Sequence, residues 1–108
     1  MKLVITKSLP FPFENSLGKG YIYISPIRAN VPNGGFTIYI GTAFLAVYIE
    51  GAFQGEPPLL LSKLGTEEEM AEMLKSGIEV PDDLIETNNQ VAVLIESLKT
   101  TPDVKIVT

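Results

Sequence analysis

The side chains available for chemistry in this sequence are carboxylates, hydroxyls, phenols and amines, and the carboxylates are the ones that cluster. Between Thr66 and Glu86 stand eight acids (Glu67, Glu68, Glu69, Glu72, Glu79, Asp82, Asp83 and Glu86) against one base, Lys75. Such a run could hold a divalent cation or divide general acid and base between two carboxyls. A calcium loop needs alternating Asp or Asn ligands around a central glycine, and that spacing is missing. Glu67, Glu68 and Glu69 suit the positive end of a helix instead, so the run reads as a solvated helix face. The acids are also too sparse to imitate a nucleic acid. No metal site is expected.

The other chemistries are narrowed by what the chain lacks. Its 108 residues include no cysteine, histidine or tryptophan. There is no thiolate nucleophile and no imidazole base poised near neutral pH. The usual zinc sites and histidine ligation of haem are unavailable. Gly18-Lys19-Gly20 precedes a strand rather than a helix, which is the wrong order for a phosphate loop. Lys2, Lys7, Lys19, Arg28, Lys63, Lys99 and Lys105 are scattered, and nothing marks one of them as buried and reactive. With a net charge of −5 and a pI near 4.6, nucleic acid is not the expected partner. The expectation is a protein without a cofactor and not an enzyme.

Aromatic residues form the more promising set. Tyr21, Tyr23, Tyr39 and Tyr48 gather with Phe36, Phe44 and Phe53 in the first half of the chain. Tyrosine suits interfaces, since it offers a rigid apolar body with a polar tip. The same residues could instead pair across strands and stabilise a sheet. The segment Leu9-Pro10-Phe11-Pro12-Phe13 reads as an extended arm. Its prolines lower the entropy lost on ordering, and Phe11 and Phe13 could anchor in a neighbouring subunit or cover the protein's own core edge. The candidate interface residues are therefore Phe11, Phe13, Tyr21, Tyr23, Tyr39 and Tyr48.

The elements that must position these residues follow from periodicity. Lys2 to Lys7 is rich in β-branched residues and reads as a strand. Asn15 to Gly20 is a turn. Gly20 to Ser25 alternates, with Tyr21, Tyr23 and Ser25 on one face and Ile22 and Ile24 on the other. Asn33-Gly34-Gly35 is a turn signal. From Phe36 to about Phe53 a long β stretch follows, apolar on both faces, with Gly41 or Gly51 marking a bulge, bend or second turn. Leu59 to Ser62 is a further short strand. Thr66 and Glu69 form a capping box for a helix that Gly77 closes. A second helix starts at Pro81 and presents Leu84, Asn88, Val91, Ile95 and Leu98 on one face up to Lys99. Val91 to Glu96 could also serve as a strand, but no turn former separates it from Lys99. Val104 to Val107 is a last strand. The order predicts an α+β fold: a mostly antiparallel sheet of about five strands, two helices from the C-terminal half packed on one face, and a final edge strand.

The length fits a single domain, 1–108. With 45% hydrophobic residues and a mean hydropathy of +0.24, the chain holds much apolar material for its size. The uncharged stretch Ala29 to Ile49 is broken by Pro and Gly and too short in its apolar part to cross a bilayer. The first residues form too short an apolar run for a signal peptide, and the lack of cysteine suits a reducing compartment, so the cytoplasm is expected. The functional expectation is a self-associating protein–protein interaction or assembly module, such as an adaptor, inhibitor or structural subunit. The alternative is a domain binding a small molecule in an apolar pocket between sheet and helices.

Overall fold

The computed structural model describes residues 1–6, 10–31, 35–49 and 64–107. Strands β1 (Lys2–Ile5), β2 (Phe11–Asn15), β3 (Gly18–Ser25), β4 (Gly35–Tyr39) and β5 (Phe44–Ile49) come first. Helix α1 (Glu67–Ser76), strand β6 (Ile78–Glu79), helices α2 (Asp82–Thr87) and α3 (Asn89–Lys99) and strand β7 (Val104–Val107) follow. The fold is α+β. Its strands do not form the single sheet expected from the sequence. They form a four-stranded sheet in the order β2-β3-β5-β4 and a three-stranded sheet in the order β6-β1-β7, all antiparallel. The division arises because β1 and β7 pair with each other, Leu3 opposite Ile106 and Ile5 opposite Val104. The strands between them are left to build a sheet of their own. β7 lies at an edge, as expected.

The proline-spaced segment is the second correction. It is not an arm but the edge strand β2, with Phe11 opposite Ile22 and Phe13 opposite Gly20. Proline is tolerated there because an edge position needs no outward ladder donor. The predicted turn shrinks to Ser16 and Leu17, since Asn15 already stands opposite Gly18. Asn15 holds this hairpin at both ends of its side chain: Oδ1 accepts the Leu17 N–H at 2.8 Å, and Nδ2 donates to Ser97 Oγ at 2.7 Å. That second bond shows that the face of β2 carrying Phe11, Phe13 and Asn15 meets α3.

The helices follow local chemistry closely. Thr66 Oγ1 accepts the Glu69 N–H, and the Glu69 carboxylate accepts the Thr66 N–H, completing the capping box. Gly77 ends α1 at φ +79°, a conformation that favours glycine. The single helix predicted from Pro81 to Lys99 is broken at Asn88. This residue is extended (φ −116°, ψ 104°), and its Oδ1 accepts the N–H groups of Gln90 and Val91. Asn88 is thus a cap rather than a polar member of a helical stripe, because its short amide competes for nearby backbone. Val91 to Glu96 is helical. Val91, Leu94, Ile95 and Leu98 bury the inner face of α3, which lies against both β2 and β7. The strand expected at Leu59 to Ser62 and the end of the stretch toward Phe53, with Gly51, lie outside the described residues. So do Lys7 to Leu9 and most of the turn at Asn33-Gly34.

Phe11→Ala should lower unfolding stability by about 3–5 kcal/mol, as expected for a core aromatic. Asn88→Ala should cost about 1 kcal/mol through the lost cap. Urea unfolding measures both, and an unchanged midpoint for Phe11→Ala would return that side chain to the surface.

Candidate functional site

The six residues singled out by the sequence are divided by the structure. Phe11 and Phe13 are 2% and 5% exposed and belong to the chain's own core. Tyr23 is 1% exposed, so the expected exposed Tyr21/Tyr23 stripe is not one. The reason is that β3 is covered on both sides: Ile22 and Ile24 on one face and Tyr23 and Ser25 on the other are all buried. Tyr21 and Tyr48 stand directly opposite each other and are half-buried. Tyr39 remains at the surface, 57% exposed. Most of the large apolar side chains among the described residues are buried or half-buried. Among the described residues, the large hydrophobics that stay exposed are Ile27, Tyr39 and Val107.

The tyrosine face of the four-stranded sheet is roofed by the chain itself. Among the described residues, Ser25 is the one buried polar residue. Its Oγ lies 2.6 Å from the Ile27 carbonyl and 2.7 Å from the Leu64 carbonyl, and accepts the Ile27 N–H at 3.1 Å. Thr37 Oγ1 donates to the Ala29 carbonyl at 3.1 Å. These bonds draw the segment from Ile27 to Ala29, and Leu64 with it, across the face. At the rim of this roof Ser25, Phe44 and Tyr39 stand in one row across β3, β5 and β4. The Tyr39 and Phe44 rings are 5.0 Å apart and tilted by 49°. The Tyr39 hydroxyl donates to the Gly41 carbonyl, which holds the ring over the hairpin. Tyr39 and Phe44 form a small apolar patch at this end of the sheet, where the Ile27 backbone is bonded to Ser25.

That patch adjoins the most unusual edge of the molecule. Sheet edges carry unpaired N–H and C=O groups, and proteins blunt them with charge, proline or brevity. β2 carries Pro12 and Glu14, β7 carries Lys105, and β6 is two residues long and already engaged. Its Glu79 N–H donates to Thr42 Oγ1 at 3.2 Å. β4, Gly35-Phe36-Thr37-Ile38-Tyr39, has none of these devices. Its hairpin with β5 closes through the Ile40 N–H to the Ala43 carbonyl at 2.9 Å, with Gly41 at φ +115°. Antiparallel ladders alternate, so the backbone groups of Phe36 and Ile38 turn toward β5 and those of Gly35, Thr37 and Tyr39 turn outward. Among the described residues, no backbone partner meets those outward groups. Sequence reading found Tyr39 but missed the edge. The signal was the uncharged stretch from Ala29 to Ile49, which gained meaning only once Gly41 folded it into a hairpin.

The acidic run ends elsewhere. An open groove of about 720 Å³ lies between α1, β6 and the hairpin tip, bordered by Glu68, Glu69, Glu72 and Glu79, with Lys2 and Thr42. Three of its carboxylates have partners within the chain. Glu69 caps α1, Glu72 accepts the Ser76 hydroxyl at 3.4 Å, and Glu79 lies 3.7 Å from Lys2 Nζ. Among the described residues no group of acids is placed to hold a metal ion. The groove is open to solvent rather than enclosed.

No helix among the described residues is long and apolar enough to cross a membrane. No protein-family model, curated protein or solved structure matches this chain.

Ser25→Ala should cost about 1–3 kcal/mol by stranding buried backbone groups. Thermal unfolding with hydrogen exchange at the Ile27 amide measures it, and normal protection there would deny Ser25 its role in the roof.

Proposed function

We propose that this protein is a non-enzymatic interaction module that assembles through the β4 edge and the Tyr39–Phe44 patch beside it. The observation that carries this reading is the contrast among the described edges: three are blunted by charge, proline or brevity, and β4 carries no such device and, among the described residues, meets no backbone partner. Backbone pairing supplies affinity at such an edge, and flanking aromatic surface adds apolar burial. The amount of exposed apolar surface supports the reading less than the composition suggested, and Phe11, Phe13 and Tyr23 have no part in it. Tyr39 does. The reading includes adaptor, inhibitor and structural-subunit roles and a cytoplasmic setting, which the lack of cysteine suits.

The test is a gatekeeper charge on the edge. Tyr39 is exposed, so Tyr39→Lys should change stability by no more than about 0.5–1 kcal/mol. It should weaken association by about tenfold or more. Light scattering over a concentration series reads both proteins against the 11.8 kDa of one chain. Wild-type protein that stays at that mass at every concentration, with no partner lost on adding the charge, would remove the reading.

A further inference from the structure

Resting on that assembly reading, we infer that the partner of β4 is β4 of a second copy, paired antiparallel about a two-fold axis at Thr37. The outward backbone groups belong to Gly35, Thr37 and Tyr39, which are symmetric about Thr37. An antiparallel mate in this register sets Thr37 against Thr37 and each Gly35 against a Tyr39, so every outward N–H meets a carbonyl. The arrangement is self-complementary, as a two-fold interface must be.

The side chains agree with that register. On one face Phe36 would stand opposite Ile38 of the second copy, and both are half-buried in the single chain. That extends the apolar face that β4 shares with Leu45 and Val47. On the other face each Tyr39 would come beside Val31, which already covers Gly35: a Cβ built on Gly35 would lie 2.2 Å from Val31 Cγ1. Charge points the same way. Two chains of net charge −5 repel in general, and the uncharged stretch from Ala29 to Ile49 is where they can approach without setting like charges together. A five-residue strand pair falls short of a standard interface of about 1,600 Å², so the dimer is a weak one that forms at high concentration.

The chain has no cysteine, which makes a single introduced thiol a reporter of register. In the proposed pairing the two Thr37 Cα atoms are about 5.5 Å apart, inside the disulfide range of about 4.4–6.8 Å. The two Tyr39 Cα atoms are about 14 Å apart along the ladder. Under mild oxidation at high concentration, Thr37→Cys should form a disulfide-linked dimer at least about tenfold faster than Tyr39→Cys. The wild-type mass by light scattering is measured alongside. Equal linking of the two variants, or faster linking of Tyr39→Cys, would overturn the register. A wild-type dimer whose Thr37→Cys variant does not link would place self-association on another surface, leaving the assembly reading intact and this inference refuted. Wild-type protein that remains a single chain at millimolar concentration would overturn the second copy as occupant, whether or not an added peptide strand binds the edge.

Discussion

β3 and β5 are covered on both faces, and the rest of the molecule is arranged around that double covering. Their facing pairs run from Gly20 and Ile49 to Ser25 and Phe44. Ile22, Ile24, Leu45 and Val47 turn to one side, and Tyr23, Ser25 and Ala46 turn to the other, all of them buried. Each large aliphatic side chain removed from water contributes about 1.5–3 kcal/mol, so neither face can be left wet. α3 meets one face through β2. The segment following β3 meets the other, tied down by Ser25 and Thr37. A strand pair covered twice explains how the described residues hide so much apolar side chain.

The two sheets are joined by polar contacts as well as by packing. The β4–β5 hairpin reaches the three-stranded sheet at its tip, where Thr42 Oγ1 accepts the Glu79 N–H and donates to the Glu79 carbonyl at 3.3 Å. One threonine side chain thus takes the place of a neighbouring strand for β6. Gly41 packs beside Pro81, and a Cβ there would come within 2.9 Å of the proline ring. The hairpin tip is therefore held by β6 and Pro81, and Asn15 fixes the opposite hairpin to α3. The β4–β5 hairpin is thus anchored at its tip and the β2–β3 hairpin at its turn.

The acidic stretch and the bare edge illustrate different relations between charge and role. The acids of α1 serve the helix first: three stand in its first turn, where the backbone dipole favours them. Their number needs no ligand to account for it. The edge is notable for the reverse, a strand without any charge in an acidic protein. Absence of charge at an edge removes the usual barrier to further pairing.

What the sequence determined by itself was local. The capping box at Thr66 and Glu69, the glycine stop at Gly77, the helical run Val91 to Lys99 and the closing strand at Val104 all depend on neighbours within a few residues, and all were legible. The edge role of β2 and the burial of Phe11, Phe13 and Tyr23 were not, because alternation along a strand gives the two faces without saying what covers each. Asn88 was misread for a related reason: an asparagine at helical spacing fits a stripe and a cap equally well until its side chain is placed. The pairing of β1 with β7 joins residues about a hundred positions apart in sequence, and no local pattern encodes it. Tertiary structure alone decided that there would be two sheets and that β4 would lie at an edge of one. Strand order is set by which apolar faces can be buried together at once, a property of the assembled chain and not of any one segment.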